Sequence, residues 1–336
     1  MVTKEPTSPR PAVRPGEVTR HLLSVDIATV AAARGERVAV EVFLPSTPAG
    51  PALIWWLQSG GGMSRRYWSL EVPGETENYS FVRYLTAQGF IAVTIDHLGT
   101  GDSSRPSDGF ALTPELIADI NAEAHQRIHA GLTDGTLIEG LRPLPALSSI
   151  GCGHSMGAAL TVYQQARHRS HRALCLLGFG GRGLPSHLPP PLAPYADAPE
   201  ALRRDLVAVV RTLYPEPLPI MPRGNDDFLI SVPIPPRVRK ALSLTRTNLL
   251  AVTGLSVMVP GSAAAEIAAI DVPVFLGHGD HDIGPPLHEV GADFSASDDV
   301  TLYRLTGSGH NHNVSPNRER LWQRITTWAT KLPESS

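Results

Sequence analysis

The chain has 336 residues, with 29 lysines and arginines against 32 aspartates and glutamates, so its formal net charge is −3 at pH 7. This length allows a large buried core, whereas the balanced charge argues against a nucleic-acid-binding surface or a polybasic membrane anchor. No apolar stretch approaches the roughly 18 residues that would indicate a membrane span.

The first 20 residues are rich in proline, threonine, arginine and glutamate and contain no apolar segment typical of a signal peptide. We therefore expect a flexible N-terminal arm over residues 1–20 and a cytoplasmic protein. Both cysteines, Cys152 and Cys175, fall in apolar runs typical of buried strands. Free buried thiols are consistent with a reducing compartment.

After the arm, strand patterns alternate with helical patterns. Residues 21–30 and 36–44 predict a β-hairpin, and amphipathic helices are predicted over residues 81–87 and from Thr113 to Ala130. Such alternation indicates a mostly parallel sheet with helices on both sides.

Two apolar runs end in turns that are rich in small residues. Residues 53–58 lead into Ser-Gly-Gly-Gly-Met-Ser at 59–64, here called the glycine turn. Residues 89–96 end in an aspartate and lead into the Gly-x-Gly-x-Ser turn within residues 97–103. Both runs predict buried strands followed by tight turns.

The most informative segment is Gly-His-Ser-Met-Gly at residues 153–157, between an apolar run and a helical pattern. A serine hydroxyl becomes a useful nucleophile when it is held clear of its surroundings, near a base and near donors for a developing oxyanion. A tight strand-to-helix turn achieves this but crowds the positions two before and two after the serine. Gly153 and Gly157 meet that requirement, so the segment predicts a nucleophile elbow with Ser155 at its apex.

Residues 180–269 interrupt the alternation. A proline-rich stretch at 184–191 is followed by two helical patterns, one from Leu202 to Leu213 and one from Val238 to Leu249. Two amphipathic helices need an apolar surface to cover, and insertions of this length are seldom without function. We expect a lid over the active site. The alternative is a surface segment without a function.

Two further segments lie near the C-terminus. An apolar run over residues 272–277 leads into His-Gly-Asp-His-Asp at 278–282, and residues 305–309 lead through a Gly-Ser-Gly turn to His310. A last amphipathic helix is predicted to begin at Ser315-Pro316, a favourable N-cap and first-turn pair.

In this order, the glycine turn, the strand ending in aspartate, the elbow and the two C-terminal segments resemble the α/β-hydrolase superfamily over roughly residues 35–330. The likeness is to a serine esterase, lipase or lactonase with a lid. It implies an α/β fold whose mostly parallel central sheet is flanked by helices, with a helical lid inserted after the sixth strand. The core would comprise residues 21–179 and 270–336, and the lid residues 180–269.

The resemblance implies a catalytic triad. Ser155 would be the nucleophile, Asp282 the acid that orients the histidine, and His310 the base that follows the glycine-rich Gly-Ser-Gly turn. The order serine, aspartate, histidine is the order of this family. Asp280 is the alternative acid and His312 the alternative base.

For the oxyanion hole, the resemblance aligns residues 59–61 with the family's His-Gly-x segment. The backbone N–H groups of Gly61 and Met156 would then bind the oxyanion. Ser59 stands where histidine is common. That departure leaves open which groups support the glycine turn.

A metal site in the loop of residues 278–282 is the alternative use of its histidines and aspartates. The triad acid already accounts for this loop, so no metal and no other cofactor is expected. His97 and His154 are expected to make structural contacts beside the active site.

The expected substrate is a small ester or lactone with a hydrophobic group, because the predicted lid is apolar and proline-rich. Met63, Trp68 and Phe179 are predicted to border the acyl pocket. Hydrolysis through an acyl-serine is favoured over two alternatives. One is amide, thioester or C–C bond hydrolysis or acyl transfer with the same triad, and the other is a non-catalytic binding protein on this scaffold. A serine at position 155 excludes relatives that need a carboxylate nucleophile.

Overall fold

The computed structural model describes residues 2–4, 18–46, 52–221 and 225–333. Its strands are β1 Val2–Lys4, β2 Thr19–Asp26, β3 Arg37–Leu44, β4 Leu53–Gln58, β5 Ile91–Ile95, β6 Ser148–His154, β7 Ala173–Leu177, β8 Val274–Gly279 and β9 Val300–Leu305. They form one nine-stranded sheet in the order β1-β2-β3-β5-β4-β6-β7-β8-β9.

The sheet is mostly parallel, as predicted. Strands β5, β4, β6, β7, β8 and β9 pair in parallel, and β1, β2 and β3 add an antiparallel edge. The predicted hairpin is confirmed as β2 and β3, whereas β1 was not predicted. Every residue of β4, β5, β7 and β8 is buried, because helices cover both faces of the sheet.

Ten α-helices accompany the strands in the described residues. They are α1 Phe81–Ala87, α2 Pro114–Thr133, α3 Met156–His168, α4 Pro199–Leu213, α5 Asn225–Ile230, α6 Pro236–Ser243, α7 Ala251–Ser256, α8 Ala264–Ala268, α9 Leu287–Val290 and α10 Arg318–Ala329. On one face, Trp55 lies in a cluster with residues of α1 and α10; on the other, Trp56 lies in a cluster with residues of α2. No described helix is long and apolar enough to cross a membrane.

The last helix begins later than predicted. It starts at Arg318, because residues 312–314 form a 3-10 turn and Ser315 is extended, with φ −62° and ψ 144°. The Ser315 hydroxyl donates to the Gly307 carbonyl at 3.1 Å and accepts from the Asn317 amide at 3.4 Å, within the turn that precedes the helix. The sequence prediction of a start at Ser315-Pro316 was therefore wrong.

Residues 178–273, called the insertion from here on, connect β7 to β8 and contain α4 to α8. β7 is the sixth strand when strands are counted from the hairpin, and the predicted lid, residues 180–269, falls within this connection. The first predicted helix is confirmed as α4, but the second was predicted too long. Helix α6 ends at Ser243. Residues 245–247 instead pair with the glycine turn, and Asn248 forms a bridge with Ile220.

The predicted N-terminal arm falls mostly outside the described residues, which omit 1 and 5–17. Within the arm, Val2–Lys4 pairs with β2, and β2 itself begins at Thr19. The domain boundaries at residues 180 and 269 stay a prediction.

Candidate active site

Ser155 occupies a sharp turn between β6 and α3. Its backbone has φ 54° and ψ −124°, a conformation that costs energy for a residue with a side chain. The Ser155 amide donates to the Leu177 carbonyl at 2.8 Å, which anchors the turn to the neighbouring strand β7. This is the geometry of a nucleophile elbow.

The two glycines that flank the elbow are required by close backbone contacts. A Cβ atom on Gly153 would lie 2.4 Å from Ala158 Cα, and one on Gly157 would lie 2.3 Å from the Gln58 carbonyl oxygen. Both distances are far below van der Waals contact. The crowding that the sequence implied at positions two before and two after Ser155 is thus present.

Asp282 receives hydrogen bonds on both carboxylate oxygens. His310 Nδ1 lies 2.7 Å from Oδ1 and His312 Nε2 lies 3.0 Å from Oδ2, while the amides of Ile283 and Gly279 donate at 2.8 Å and 3.2 Å. Burial by itself raises the pKa of Asp282, but attraction to His310 and the hydrogen bonds from both histidines outweigh it and hold that pKa well below the ordinary value. The carboxylate is therefore ionised at neutral pH.

The two candidate bases have different surroundings. His310 lines the same cavity as Ser155, whereas His312 is fully buried and does not line it. Gly178, with φ 61°, makes room for both: a Cβ there would lie 2.8 Å from His310 Cε1 and 3.3 Å from His312 Cε1. Ser155 and His310 line one cavity, and the described structure shows no hydrogen bond between their side chains.

His154 contacts the backbone of His310, which is the kind of structural contact that the sequence analysis predicts for it. Its Nε2 lies 2.8 Å from the His310 carbonyl oxygen, and its ring stacks on Tyr67 with centroids 4.9 Å apart. Burial, followed by repulsion from His310 and His312, lowers the pKa of His154 well below its ordinary value. A neutral His154 donates to the His310 backbone and does not compete for the proton of Ser155.

The glycine turn lies against the elbow. A Cβ on Gly60 would be 3.1 Å from Ser155 Cβ, and one on Gly61 would be 3.7 Å from Met156 Sδ. Met156 is the first residue of α3, so its N–H has no acceptor within the helix, and the helix dipole favours negative charge there. The arrangement is compatible with Gly61 and Met156 as the two oxyanion donors.

The insertion pairs with the glycine turn, a contact that the sequence did not reveal. The Ser64 amide donates to the Thr245 carbonyl at 2.7 Å, the Thr247 amide donates to the Gly62 carbonyl at 2.9 Å, and Met63 bridges Arg246 in antiparallel register. The sequence pattern predicts one helix from Val238 to Leu249, and residues in a helix cannot form this short strand-like pairing.

An apolar cavity opens over Ser155. Its lining includes Met63 and Phe179, two of the three predicted pocket residues, together with Ser155 and His310. Most of the apolar lining comes from the insertion, namely from Phe179, Leu184, Tyr214, Met221, Leu229, Leu249, Leu255, Val257 and Met258. None of the described lining residues is an aspartate, glutamate, lysine or arginine.

Trp68, the third predicted pocket residue, does not line the cavity. It is fully buried in the core, where its ring lies 5.3 Å from that of Tyr67 and 5.9 Å from that of Phe81. The prediction was wrong because the chain turns through a short 3-10 helix, Arg65–Tyr67, which directs Trp68 away from Ser155.

The polar groups of the loop at residues 278–282 have protein partners. His278 Nε2 lies 3.0 Å from the Phe179 carbonyl oxygen, and the Asp280 carboxylate accepts from the amides of Gly307 and Ser308 at 2.9 Å and 3.0 Å. Asp280 thus fixes the turn before His310 and does not contact that ring. In the described part of the chain, no three His, Cys, Asp or Glu side chains form a group that could hold a metal ion.

Five buried histidines make the fold sensitive to acid. Burial is the main cause that lowers the pKa of His97, His154, His171 and His278, and it lowers that of His125 to about 3. In the unfolded chain these rings titrate near pH 6.5, so their contribution to stability is present above that pH and is lost as the pH falls below it.

We therefore expect the free energy of unfolding, and with it the urea midpoint, to fall as the pH drops from about 6.5 to about 5, by up to about 1.4 kcal/mol per pH unit for each histidine that stays neutral in the folded chain. Equilibrium unfolding followed by tryptophan fluorescence measures this change. His125→Gln should reduce the change of the unfolding free energy per pH unit by the contribution of one histidine. A midpoint that stays constant over this range would contradict the assignment of neutral rings.

Comparisons with known proteins identify the family and the fold. Residues 28–321 match the model of the alpha/beta hydrolase family. No curated protein sequence matches the chain.

Several solved structures share the fold. A carboxyl esterase from Bacillus coagulans superposes with a TM-score of 0.64 and 16% identity, covering 93% of this chain and 98% of that chain. An esterase from Exiguobacterium antarcticum gives 0.60 and 15%, covering 92% and 99% of the two chains. A proline iminopeptidase from Mycobacterium smegmatis gives 0.59 and 15%, covering 92% and 98%. At these identities the likeness concerns the fold alone.

Proposed function

The chain belongs to the alpha/beta hydrolase family, and we propose that it hydrolyses carboxylic esters or lactones with an apolar acyl group through an acyl-serine intermediate. The observation that carries the proposal is Ser155, held at positive φ in the elbow, at one apolar cavity with the Asp282-bound His310. This combination supplies a nucleophile, a base and an oriented carboxylate in the family's chain order.

In the proposed reaction, neutral His310 takes the proton of the Ser155 hydroxyl as the oxygen attacks the carbonyl carbon of the substrate. The tetrahedral oxyanion accepts hydrogen bonds from the amides of Gly61 and Met156. His310 then gives its proton to the leaving alcohol oxygen, and the ester C–O bond breaks. In the second half, His310 takes a proton from water as the water oxygen attacks the acyl carbon. His310 then returns a proton to the Ser155 oxygen as the bond between the acyl carbon and that oxygen breaks, which releases the acid. Asp282 stabilises the positive charge on His310 in both halves.

The cavity favours a neutral acyl group. Among the described lining residues, Tyr214 and Asn311 alone bring hydrogen-bonding side chains besides the site residues Ser155, His154 and His310. A charged acyl group would be desolvated without a counter-charge from the described lining, which is costly. All four methionines after Met1 line the cavity, namely Met63, Met156, Met221 and Met258, and flexible thioether side chains adapt to ligands of different shape.

The other reactions of this triad, on amides, thioesters or C–C bonds or in acyl transfer, would use the same residues. A non-catalytic binding protein would not need a reactive serine. Labelling with a fluorophosphonate probe, located by mass spectrometry, tests whether Ser155 is activated. A panel of p-nitrophenyl esters of graded acyl length, run beside lactones, amides and thioesters, then separates the reaction classes, and turnover of amides or thioesters alone would overturn the ester proposal.

The insertion is proposed as the lid that selects the acyl group. Met258 belongs to the insertion and lines the cavity, so Met258→Trp should narrow the space and lower kcat/KM for long esters relative to short ones by about tenfold or more. The length profile of p-nitrophenyl esters measures this ratio.

Leu244 provides the control, because it lies in the insertion but is 71% exposed and does not line the cavity. Leu244→Ala should leave the length profile unchanged. A folded Met258→Trp variant with the wild-type profile would show that the core loops, and not the insertion, set specificity.

A further inference from the structure

A buried chain of polar side chains runs beneath the glycine turn. Gln58 Nε2 donates to Gln164 Oε1 at 2.8 Å, Asn121 Nδ2 donates to Gln58 Oε1 at 2.9 Å, and Asn121 Nδ2 lies 3.0 Å from His97 Nδ1. His97 Nε2 lies 3.3 Å from the carbonyl oxygen of Ser59, the first residue of the turn. All five residues are at most 2% exposed.

The hydrogen bonds along this chain determine the state of the His97 ring. One Asn121 N–H serves Gln58. His97 Nδ1 lies nearer to the Asn121 amide nitrogen, at 3.0 Å, than to the Asn121 amide oxygen, at 3.4 Å, so the other N–H donates to His97 Nδ1. Nδ1 is then an acceptor, so the ring carries its proton on Nε2 and donates it to the Ser59 carbonyl. Burial lowers the pKa of His97, which agrees with a neutral ring in this tautomer.

The Ser59 carbonyl lies next to the backbone of both proposed oxyanion donors. A Cβ on Gly157 would lie 2.5 Å from the Ser59 oxygen, so this carbonyl packs against the first turn of α3, which carries the Met156 amide. Two residues after Ser59 comes Gly61, the other donor. The Ser59 hydroxyl donates within the turn, to the Ser64 carbonyl at 3.0 Å, and has no other hydrogen-bond partner among the described residues.

We propose that His97 is a positioning residue of the oxyanion hole, which holds the Ser59 carbonyl and thereby sets the Gly61 amide against the Met156 amide. His97 does not line the cavity, so it acts through the turn and not on the substrate. The inference rests on the proposed function, because it needs an oxyanion to be stabilised.

The experiment compares His97→Asn with His97→Gln. The glutamine amide reaches as far as the Nε2 position and can still donate to the Ser59 carbonyl, whereas the asparagine amide is one methylene shorter and cannot. Displacing an oxyanion donor acts on the transition state, so His97→Asn should lower kcat on a p-nitrophenyl ester by about ten- to a hundredfold with KM nearly unchanged. His97→Gln should recover most of that loss.

His125→Asn is the matched control. His125 is another buried histidine, and its Nε2 lies 3.0 Å from the Ser149 hydroxyl, remote from the cavity lining. The variant should lose thermal stability to a similar degree and keep its kcat. A trifluoromethyl ketone, which forms a tetrahedral adduct with an activated serine, should bind His97→Asn more weakly by the factor by which kcat/KM falls.

Four results would overturn the inference: a folded His97→Asn variant with wild-type kcat, equal losses in the asparagine and glutamine variants, a loss confined to KM, or an equal loss of kcat in His125→Asn. Failure of the proposed function is separate, since it would show in the wild-type chain as absent turnover and absent fluorophosphonate labelling of Ser155.

Discussion

Ser155→Ala is expected to remove turnover while leaving the fold intact. The change deletes one hydroxyl at the apex of the elbow, and Ser155 packs there through its backbone bond to Leu177. Without the nucleophile, only the oxyanion donors and substrate binding can accelerate hydrolysis, so kcat should fall below about a thousandth of the wild-type value. Initial rates on a short p-nitrophenyl ester, together with the thermal midpoint of the variant, measure both halves of this expectation.

The control is Ser186→Ala, which changes an exposed serine of the insertion. It should keep wild-type turnover and wild-type labelling by a fluorophosphonate. If Ser155→Ala retained hydrolysis well above the thousandth level, the elbow would not hold the nucleophile and the proposed mechanism would fail.

His310→Ala should lower kcat by roughly a thousandfold or more, because it removes the only proposed proton acceptor for Ser155. His312→Ala should cost less, roughly ten- to a hundredfold, because its proposed role is to hold Asp282 and not to contact the nucleophile. The two single variants and the double variant, assayed for kcat with the same ester, compare these roles directly.

The double variant sharpens the comparison. If His312 acts only through the Asp282 carboxylate, which it bonds at 3.0 Å, its loss should matter little once His310 is absent. The double variant should then be about as slow as His310→Ala alone. A larger loss at His312 than at His310 would show that the base is two residues further along the chain.

Much of the site could be predicted from the sequence because its constraints are local. The spacing of Gly153, Ser155 and Gly157 follows from the crowding of one tight turn, and the structure shows that crowding directly. The predicted acid and base, Asp282 and His310, are hydrogen-bonded to each other at 2.7 Å. Their catalytic roles stay a prediction until the variants are assayed.

The features that escaped prediction depend on contacts between distant parts of the chain. The sequence offers His312 as an alternative base to His310, but no sequence rule indicates that the two rings bind the two oxygens of one carboxylate. Trp68 follows the glycine turn closely, but the 3-10 helix before it directs the ring into the core. The support of the turn by His97 joins side chains up to 106 positions apart, beyond the reach of any local pattern.

The pairing of residues 245–247 with the glycine turn has a consequence for how this enzyme could change its substrate. The insertion is not an exchangeable cassette, because part of it holds the turn that carries a proposed oxyanion donor, and the Thr247 hydroxyl also accepts from the Gly101 amide at 2.7 Å. A chimera that took the whole insertion from a relative would alter rate and selectivity together. Recombination junctions placed before Thr245 would keep this pairing from one parent, so selection could then act on the acyl pocket while the catalytic rate is preserved.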